Sequence, residues 1–461
     1  MEELVRRAGL SISTIRVSEL ESPTRTEAEF YQPHYLVNRH ALLNSGLPIK
    51  RLKELATRIT DGSHTTPEYQ EDGVRFLMVR NLHEHQIDFD DVRYITPEMD
   101  KSLKQCKPVS GDILLSKVGS IGISAVVPDD APDFNIFVSL AVIKGVPKEL
   151  QAYVSTFLNS RVAFLQAERA AKGISQPDLH LEDIREFLVP IPSRQFLDKI
   201  SEKIAKVRES LEQTKELYAE AERLLAVELG LDGLDLSESL FNVRQVSDVL
   251  NSSRMDAEYY KRKYQNLLTY FDQKPSRTLN QIATFVGGAT PLGADYLENG
   301  IPFLRIQNVG DNKLILDDVA YIHKDIHESE LKRSQLAPGD VLITITGRIG
   351  TSAVVTNELK KANINQHIVR MRLKSKDINP FYLAAFLNSV GGRLQTSREA
   401  YGTTRDALPY YCLAKIRILT ADKGLQSEVE QLVRKAAETQ QDAKNLLLEA
   451  KSEVERLIEG K

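Results

Sequence analysis

The sequence has few of the residues that build disulfide, zinc or membrane-spanning proteins. Its 461 residues include two cysteines, Cys106 and Cys412, and neither belongs to a CxxC pair or to a cluster with histidines. Their spacing therefore excludes a disulfide framework and a zinc site. No stretch approaches the roughly 18 apolar residues of a membrane span, and the N-terminus MEELVRRAGLSIS lacks the apolar segment of a secretion signal. These absences predict a protein of the reducing cytoplasm.

The overall charge does not indicate a nucleic-acid-binding protein. The net charge is −4, with 42% hydrophobic and 27% charged residues, which is ordinary for a soluble globular protein. A basic surface would therefore have to arise from local clustering rather than from total excess. The length of 461 residues exceeds what one core usually supports and predicts about three domains.

Motifs of known catalytic sites are missing. There is no GxxxxGKS/T phosphate loop and no HExxH zinc motif. Asn379-Pro-Phe-Tyr382 resembles the motif that holds a flipped adenine in amino-methyltransferases, but it lacks the second proline and is better explained as a helix start. No set of acidic residues with a lysine stands out for metal-dependent nuclease work. The sequence thus predicts that this chain is not itself an enzyme.

A long helical stretch from Arg194 to Gly230 dominates the middle of the chain. Its apolar or small residues alternate at spacings of four and three, the 3.5-residue period of a coiled-coil seam. The seam residues are Ile200, Ile204, Val207, Leu211, Thr214, Tyr218, Ala221 and Leu225. Gly230 follows the last periodic residue and predicts the end of the helix. A helix of about 35 residues is about 50 Å long, so the seam requires a partner helix.

A matching seam lies at the other end of the chain, within residues 422–461. Its members are Val429, Val433, Ala436, Gln440, Ala443, Leu447, Ala450, Val454 and Leu457. Val429 lies 229 positions after Ile200, so the two seams are in register. The second helix is therefore the predicted partner of the first. Gln440 takes the position of Leu211, and a polar residue at one seam position is typical of a register-fixing contact.

Matched motifs at nearly constant offsets of 227–229 positions extend over the rest of the chain as an internal repeat, which must be recognised before any fold is assigned. The matched pairs, first copy before second, are EAEFY (27–31) and DAEYY (256–260), GVRFLMVRN (73–81) and GIPFLRIQN (300–308), GDILL (111–115) and GDVLI (339–343), GSIG (119–122) and GRIG (347–350), SAVV (124–127) and SAVV (352–355), and FLNS (157–160) and FLNS (386–389). Two β-branched runs around a glycine turn predict a hairpin, and the FLNS segments have helical spacing. Each copy is therefore predicted to be a mixed α/β unit that ends in a short strand and a long helix.

The loops between matched elements differ in their polar side chains. Scaffold residues are retained while hydrogen-bonding groups change, which favours two modules that bind different targets, because Arg, Lys, Gln and Asn contact base edges. Each loop taken singly is also explained as a solvated turn. The candidate DNA-binding residues of the first copy are Ser63, His64, Thr65, Thr66, Arg80, Asn81, Lys117, Ser120, Lys172, Ser175 and Gln176. Those of the second copy are Thr290, Arg305, Gln307, Asn308, Thr346, Arg348, Tyr401, Thr403, Thr404 and Arg405.

The order of these motifs in duplicate resembles the DNA specificity (S) subunit of Type I restriction-modification systems. The resemblance covers nearly the whole chain from about residue 14. It implies an α/β (α+β) fold of two tandem target-recognition domains, each binding half of a split DNA sequence, separated by two long antiparallel coiled-coil helices. Ser120 departs from the second copy, which has Arg348, so a phosphate contact by that side chain is implied for one copy only.

The resemblance also implies the partners of the chain. It implies a non-catalytic subunit that binds double-stranded DNA, docks two methyltransferase subunits on its helices and contacts restriction subunits indirectly. S-adenosylmethionine, ATP and Mg are then expected on the partner subunits, with no cofactor or metal on this chain and no membrane contact.

The predicted domains follow from the repeat. They are target-recognition domain 1 (14–193), the central spacer helix (194–230), a connector (231–243), target-recognition domain 2 (244–421) and the C-terminal spacer helix (422–461). Arg348, Arg405, Lys117, Lys172 and Gln176 are the strongest predicted contacts with DNA. Two alternatives stay open: a protein–protein scaffold whose helices dimerise between chains, and an enzyme fused to such modules.

Overall fold

The computed structural model describes residues 14–17, 20, 26–173, 176–239, 241–252, 254–291, 293, 296–402 and 406–460. The chain forms two compact units, unit 1 from residues 1–210 and 442–461 and unit 2 from residues 211–441. Each of the two long helices therefore contributes one half to each unit. No helix among the described residues is long and apolar enough to cross a membrane.

Unit 1 contains six short α-helices and eleven strands in the described ranges. In chain order they are α1 (Pro33–Leu43), β1 (Ile49–Arg51), α2 (Leu52–Leu55), β2 (Arg58–Asp61), β3 (Val74–Leu77), β4 (Leu82–His83), β5 (Gln86–Ile87), β6 (Arg93–Ile95), α3 (Pro97–Ser102), β7 (Ile113–Ser116), β8 (Ser124–Val126), β9 (Phe134–Ile136), β10 (Leu140–Lys144), α4 (Lys148–Leu158), α5 (Arg161–Ala170), α6 (Leu181–Arg185) and β11 (Leu188–Pro190). The first long helix, α7 (Arg194–Glu228), follows.

Unit 2 begins with the helix α8 and then repeats the order of elements described for unit 1. Its elements are α8 (Val246–Ser252), α9 (Arg262–Asp272), β12 (Ser276–Thr278), α10 (Leu279–Ile282), β13 (Ala283–Gly287), β14 (Ile301–Leu304), β15 (Val309–Gly310), β16 (Lys313–Leu314), β17 (Ala320–Ile322), α11 (Lys324–Glu328), β18 (Val341–Thr344), β19 (Ser352–Val354), β20 (Asn363–Ile364), β21 (Ile368–Leu373), α12 (Pro380–Asn388), α13 (Val390–Glu399), α14 (Tyr410–Leu413) and β22 (Arg417–Leu419). The second long helix, α15 (Lys423–Glu459), follows.

The sheets of the two units have the same strand order. Unit 1 has an antiparallel four-stranded sheet β2-β10-β7-β8, a three-stranded sheet β6-β3-β9 in which β3 and β9 are parallel, and the pairs β1-β11 and β4-β5. Unit 2 has β13-β21-β18-β19, β17-β14-β20, β12-β22 and β15-β16, which are the same arrangements with matched strands. The internal repeat predicted from the sequence is therefore a repeat of topology, and the β7–β8 and β18–β19 hairpins are confirmed.

The four-stranded sheet is buried on both faces. In β7, Ile113 and Leu115 belong to the core shared with the helices, while Leu114 belongs to a second core with Leu77 and Ile136 of the three-stranded sheet. Successive side chains of a strand point to opposite faces, so a strand between two cores must be apolar at every position. This explains the unbroken apolar run in each copy, and it places the helices, the four-stranded sheet and the three-stranded sheet in successive layers.

The two long helices pair in antiparallel fashion within unit 1. Ile200 and Val454 lie in one buried cluster. The nitrogen of Lys203 lies 2.8 Å from a carboxylate oxygen of Glu449, and that of Lys199 lies 3.0 Å from Glu453, so one helix advances as the other recedes. These exposed ion pairs contribute little stability, and the buried seam holds the helices together. The mixed α/β fold with antiparallel coiled-coil helices is thus confirmed.

In unit 2 the other halves of the helices pack on the core in the same way. Ala221 and Leu225 of α7 lie in one buried cluster with Val429 and Val433 of α15.

The last residue of the α15 seam differs from the prediction. Ile458 is buried there, whereas the predicted Leu457 is half-buried. A straight helix with 3.6 residues per turn drifts from a strict 3.5 repeat, which moves the contact on by one position.

Gly230 terminates α7 through a Schellman motif. Its φ is +65°, and the Leu231 amide donates to the Ala226 carbonyl at 2.7 Å while the Gly230 amide donates to Val227 at 3.0 Å. Leu231 is buried, as the apolar residue after such a cap usually is. The predicted helix end at Gly230 is therefore confirmed by its cap geometry.

Candidate nucleic-acid interface

The repeated Gly-Asp motif is part of the scaffold. In unit 1 the Asp112 carboxylate accepts from the Val109 amide at 3.0 Å and from Lys144 Nζ at 2.8 Å. In unit 2 the matched Asp340 accepts from the Ala337 amide at 2.8 Å and binds the Arg372 guanidinium through both oxygens at 2.7 Å. Each aspartate closes a turn and anchors a cation of the central strand. The motif recurs because it builds the sheet.

The asparagine of each FLNS segment is also structural. Asn159 accepts from the Ser124 amide at 2.8 Å and donates to the Ser124 carbonyl at 2.9 Å. Asn388 makes the same two bonds to Ser352, at 2.9 and 2.8 Å. This side chain replaces the missing neighbour at the edge of the four-stranded sheet and holds α4 or α12 against it. The residues common to both copies thus position the loops that differ.

Three polar loops of unit 1 converge at one end of the four-stranded sheet. They are residues 62–66, residues 117–120 and the described residues 172–173 and 176–178. The Gly119 amide donates to the Pro177 carbonyl at 2.9 Å, and Lys172 and Asp178 exchange two backbone bonds at 2.9 and 2.8 Å. His64 Nε2 lies 3.2 Å from Asp61 Oδ1, beside the Lys117 side chain. The predicted site residues of these loops therefore share one surface, which we call loop surface 1.

Residues on loop surface 1 differ in accessibility. His64, Thr65, Thr66, Ser120, Lys172 and Gln176 are exposed. Ser63 is buried, and its hydroxyl donates to the Thr65 carbonyl at 2.7 Å, so it shapes the turn. Ser175 lies outside the described residues.

Lys117 does not face solvent as the sequence led us to expect. Its ammonium lies 3.4 Å from Asp61 Oδ2 and 3.4 Å from Asp178 Oδ1, and the side chain is 7% exposed. A buried lysine between two carboxylates has its charge compensated inside the protein. This geometry favours a supporting role for Lys117 behind the loop surface over the direct DNA contact predicted from the sequence. Sequence reasoning missed Asp61 and Asp178, because each is an isolated acid in its own loop.

The corresponding loops of unit 2 have the same backbone arrangement. Their described residues are 288–291, 346–348, 401–402 and 406–407, and we call them loop surface 2. Thr346 and Tyr401 both pair with Ala407, and the Leu408 amide donates to the Ile345 carbonyl at 2.8 Å. The Thr346 hydroxyl lies 2.8 Å from His367 Nδ1. Thr290 is exposed and donates to the Gln366 side chain. Thr403, Thr404 and Arg405 lie outside the described residues.

Loop surface 2 carries an aromatic and cationic group that the sequence did not reveal. The Tyr401 and Tyr411 hydroxyls lie 2.7 Å apart, and this hydrogen bond is the main cause that raises the pKa of Tyr411. The Arg254 guanidinium lies 4.9 Å from the centre of the Tyr401 ring, a cation–π distance. Arg254 is far from Tyr401 in the sequence, and Tyr411 belongs to a different motif. No local sequence pattern therefore indicates that the three side chains meet.

Arg348 is an exposed cation of loop surface 2. Its side chain is 68% exposed, and one guanidinium nitrogen lies 3.5 Å from Asp311 Oδ2. Asp311 also pairs with Arg393, so a single carboxylate faces two guanidinium groups. Arg348 therefore keeps positive charge to offer to a phosphate or a guanine edge.

The turns at 79–81 and 306–308 each bury an asparagine and expose the residue before it, which is Arg80 in the first turn and Gln307 in the second. Asn81 accepts from the Met78 amide at 3.0 Å and donates to the Asp91 carbonyl at 2.7 Å. Asn308 repeats this with the Arg305 amide at 2.8 Å and the Asp318 carbonyl at 2.9 Å. Both asparagines are buried, so their amide groups are committed to these turns.

The arginines and the glutamine of these turns are accessible. Arg80 is exposed beside Asp91, Arg305 is half-buried with a nitrogen 3.2 Å from Asp318 Oδ2, and Gln307 is exposed. Ser139 joins the first turn to loop surface 1, since its hydroxyl accepts from the Val79 amide at 3.2 Å and its carbonyl accepts from the Lys117 amide at 3.0 Å.

The described residues offer no metal centre. Among the positions that the structure places, no group of three or more histidine, cysteine, aspartate or glutamate side chains could hold an ion.

Comparison with known proteins gives one local sequence match. No family model matches the chain. A stretch of 125 residues is 27% identical to the Type I restriction enzyme EcoBI specificity subunit of Escherichia coli. The match covers 26% of this chain and 26% of that subunit, so the chain spans about a quarter of the curated relative it matches. The resemblance to Type I specificity subunits is confirmed by this match.

Two solved structures of S subunits are similar over most of their length. The Type I S subunit from M. genitalium is 14% identical, with 90% of this chain and 96% of that chain covered and a TM-score of 0.39. The HsdS subunit from Thermoanaerobacter tengcongensis is 14% identical, with 90% and 97% covered and a TM-score of 0.29.

Proposed function

We propose that this chain is the non-catalytic specificity subunit of a Type I restriction-modification system and that it binds a bipartite DNA sequence. One observation carries the proposal. In each unit, three loops with different polar side chains meet at the same end of an otherwise repeated scaffold. A protein that binds two unlike half-sites needs this combination, because the fold sets the geometry and the loop side chains set the sequence.

The proposed contacts are the accessible residues of the two loop surfaces and the adjoining turns. In unit 1 they are His64, Thr65, Thr66, Arg80, Ser120, Lys172 and Gln176. In unit 2 they are Thr290, Arg305, Gln307, Thr346, Arg348 and Tyr401. Ser63, Asn81, Lys117 and Asn308 are placed behind them as supports, since they are buried and bonded within the protein.

The long helices are the proposed spacer and the proposed dock for partners. Their outward faces carry charged residues over about 50 Å of helix, a length comparable to about one and a half turns of B-DNA. We propose that two methyltransferase subunits bind these faces, that restriction subunits join through them, and that S-adenosylmethionine, ATP and Mg are bound by those partners.

Methylation mapping tests the proposal. Genomic DNA from cells with and without this protein, in the presence of its methyltransferase, should differ at one bipartite sequence with an unspecified gap. Two results together would instead favour a protein–protein scaffold. The purified full chain would show no sequence preference in binding selections, and methylation would be the same in cells with and without the protein.

Arg348 offers a residue-level test within unit 2. Arg348→Ala should weaken binding by about 1–3 kcal/mol at one half-site if the guanidinium contacts a base, or weaken all sequences with a salt slope smaller by about 1 if it contacts a phosphate. Lys360→Ala, which removes an exposed cation away from loop surface 2, is the matched control. Binding of Arg348→Ala that equals wild type at every salt concentration would remove this residue from the interface.

A further inference from the structure

Loop surface 1 contains a charged arrangement that loop surface 2 lacks. Lys117 lies between Asp61 and Asp178, at 3.4 Å from each carboxylate. Lys117 and Asp61 are 7% and 10% exposed, whereas Asp178 is 44% exposed. The lysine and the first aspartate are therefore enclosed, and the second aspartate is the member that reaches the surface.

The matched positions of unit 2 carry no charge. Strand register places Gly287 where unit 1 has Asp61, since these residues pair with the matched Val369 and Ala141. The bridges from Val118 to Asp178 and from Thr346 to Ala407 are likewise equivalent. Ile345, one position before Thr346, takes the place of Lys117, and Ala407 takes the place of Asp178. The fold does not require the three charges, because unit 2 builds the same frame without them.

The Asp178 carboxylate is held in a fixed orientation. Its backbone exchanges two hydrogen bonds with Lys172, at 2.9 and 2.8 Å. Its Oδ1 is buried towards Lys117 and has no hydrogen-bond partner among the described residues. Its Oδ2 lies 3.9 Å from His180 Nε2 on the outer side. The exposed area of this side chain therefore presents an acceptor whose orientation is set by the buried lysine.

The charge and hydrogen-bonding chemistry of a carboxylate limit which groups of DNA it can contact. It is repelled by phosphates and accepts hydrogen bonds only, so its partner in the major groove must be an exocyclic amino group. Adenine presents its amino group beside the N7 acceptor, which repels a carboxylate, whereas the N4 amino group of cytosine has no acceptor of its own base beside it. Cytosine is the base that suits this geometry.

We infer that unit 1 recognises a cytosine in its half-site through the Asp178 carboxylate, with Lys117 and Asp61 as positioning residues. This inference rests on the proposed function, since it names a base within the DNA target. It also separates the two half-sites chemically, because unit 2 has Ala407 at the matched position and contacts its half-site through other groups.

Selection from a randomised bipartite DNA library with the full chain tests the inference. The wild-type protein should select cytosine at one position of one half-site. Asp178→Asn, which adds donors to an isosteric side chain, should lower the preference for cytosine there by roughly 5- to 100-fold and leave the other half-site unchanged. The control Glu98→Gln removes one negative charge, as Asp178→Asn does, but at an exposed position of α3 in unit 1. It should keep the wild-type preference for cytosine.

A probe on the wild-type protein avoids any dependence on how the variant folds. DNA with N4-methylcytosine at the selected position should bind roughly 5- to 100-fold more weakly, because the methyl group replaces the hydrogen that Asp178 would accept. An unchanged cytosine preference in Asp178→Asn, or unchanged affinity for the methylated probe, overturns the inference while leaving the proposed function intact. A wild-type protein without preference in either half-site overturns both.

Discussion

His85 should make the stability of unit 1 depend on pH. It sits at the tip of the β4–β5 hairpin with a φ of +58°, it is 5% exposed, and its Nε2 has no hydrogen-bond partner among the described residues. Burial, followed by the positive charges of Arg208 and Lys451, lowers the pKa of His85 from 6.5 to about 3. Glu84 pairs with Lys451 at 2.7 Å, and the carboxylates that act on Arg208 are those of Asp129 and Asp130.

The expected magnitude follows from the two pKa values. Because the folded state favours the neutral imidazole, the contribution is fully present above pH 6.5 and is lost as the pH falls from 6.5 towards 3. Each pH unit in this window costs about 1.4 kcal/mol. Between pH 7.5 and pH 5.0 the wild-type protein should therefore lose about 2 kcal/mol of unfolding free energy through this residue alone.

His85→Asn removes the titrating group and preserves the backbone. Asn312 occupies the matched hairpin tip of unit 2 with a φ of +61°, and asparagine tolerates this region. Urea denaturation at both pH values should show a pH dependence smaller by about 2 kcal/mol in His85→Asn than in wild type. His83→Asn, an exposed histidine of the same hairpin, should behave as wild type. Equal pH dependence in wild type and His85→Asn would refute the buried, neutral state of His85.

Three further predictions concern the scaffold and the spacer. Asn159→Leu should lower the free energy of unfolding by about 2–5 kcal/mol in urea denaturation, because both backbone groups of Ser124 lose a buried partner. The control Asn251→Leu, at an exposed position of α8, should change this free energy little. Tyr153→Phe should cost about 1–2 kcal/mol by the same assay, since the buried Pro190 carbonyl loses a donor at 2.6 Å; no change would mean that water replaces it. Removing one heptad from both long helices shortens each by about 10 Å and should shorten the unspecified gap by about three base pairs, and methylation mapping that shows an unchanged gap would contradict the spacer proposal.

The internal repeat could be predicted from the sequence, and the repeat in turn predicted that both units have the same topology. Matched motifs in the same order, at nearly constant offsets of 227–229 positions, predicted two units of the same strand order, and local patterns identified the hairpins, the FLNS helices and the Gly230 cap. The contacts of Lys117 could not be predicted in this way. Asp61 reaches it from the end of β2 and Asp178 from a loop distant in the chain, and their meeting depends on strand pairing that no local pattern encodes. The burial of Asn81 and Asn308 was not predicted for a related reason, because an asparagine that caps a turn and one that contacts DNA have the same sequence signal.

The division of each long helix between the two units has a consequence for synthesis of the protein. All residues of unit 2 lie in one continuous segment, 211–441, so its core can close once that segment has left the ribosome. Unit 1 needs Ala450, Val454 and Ile458 to fill a core begun by residues near the other end of the chain. The unit made first is therefore completed last, and until the final helical turns emerge it exposes an apolar seam that a chaperone or a second nascent chain could occupy.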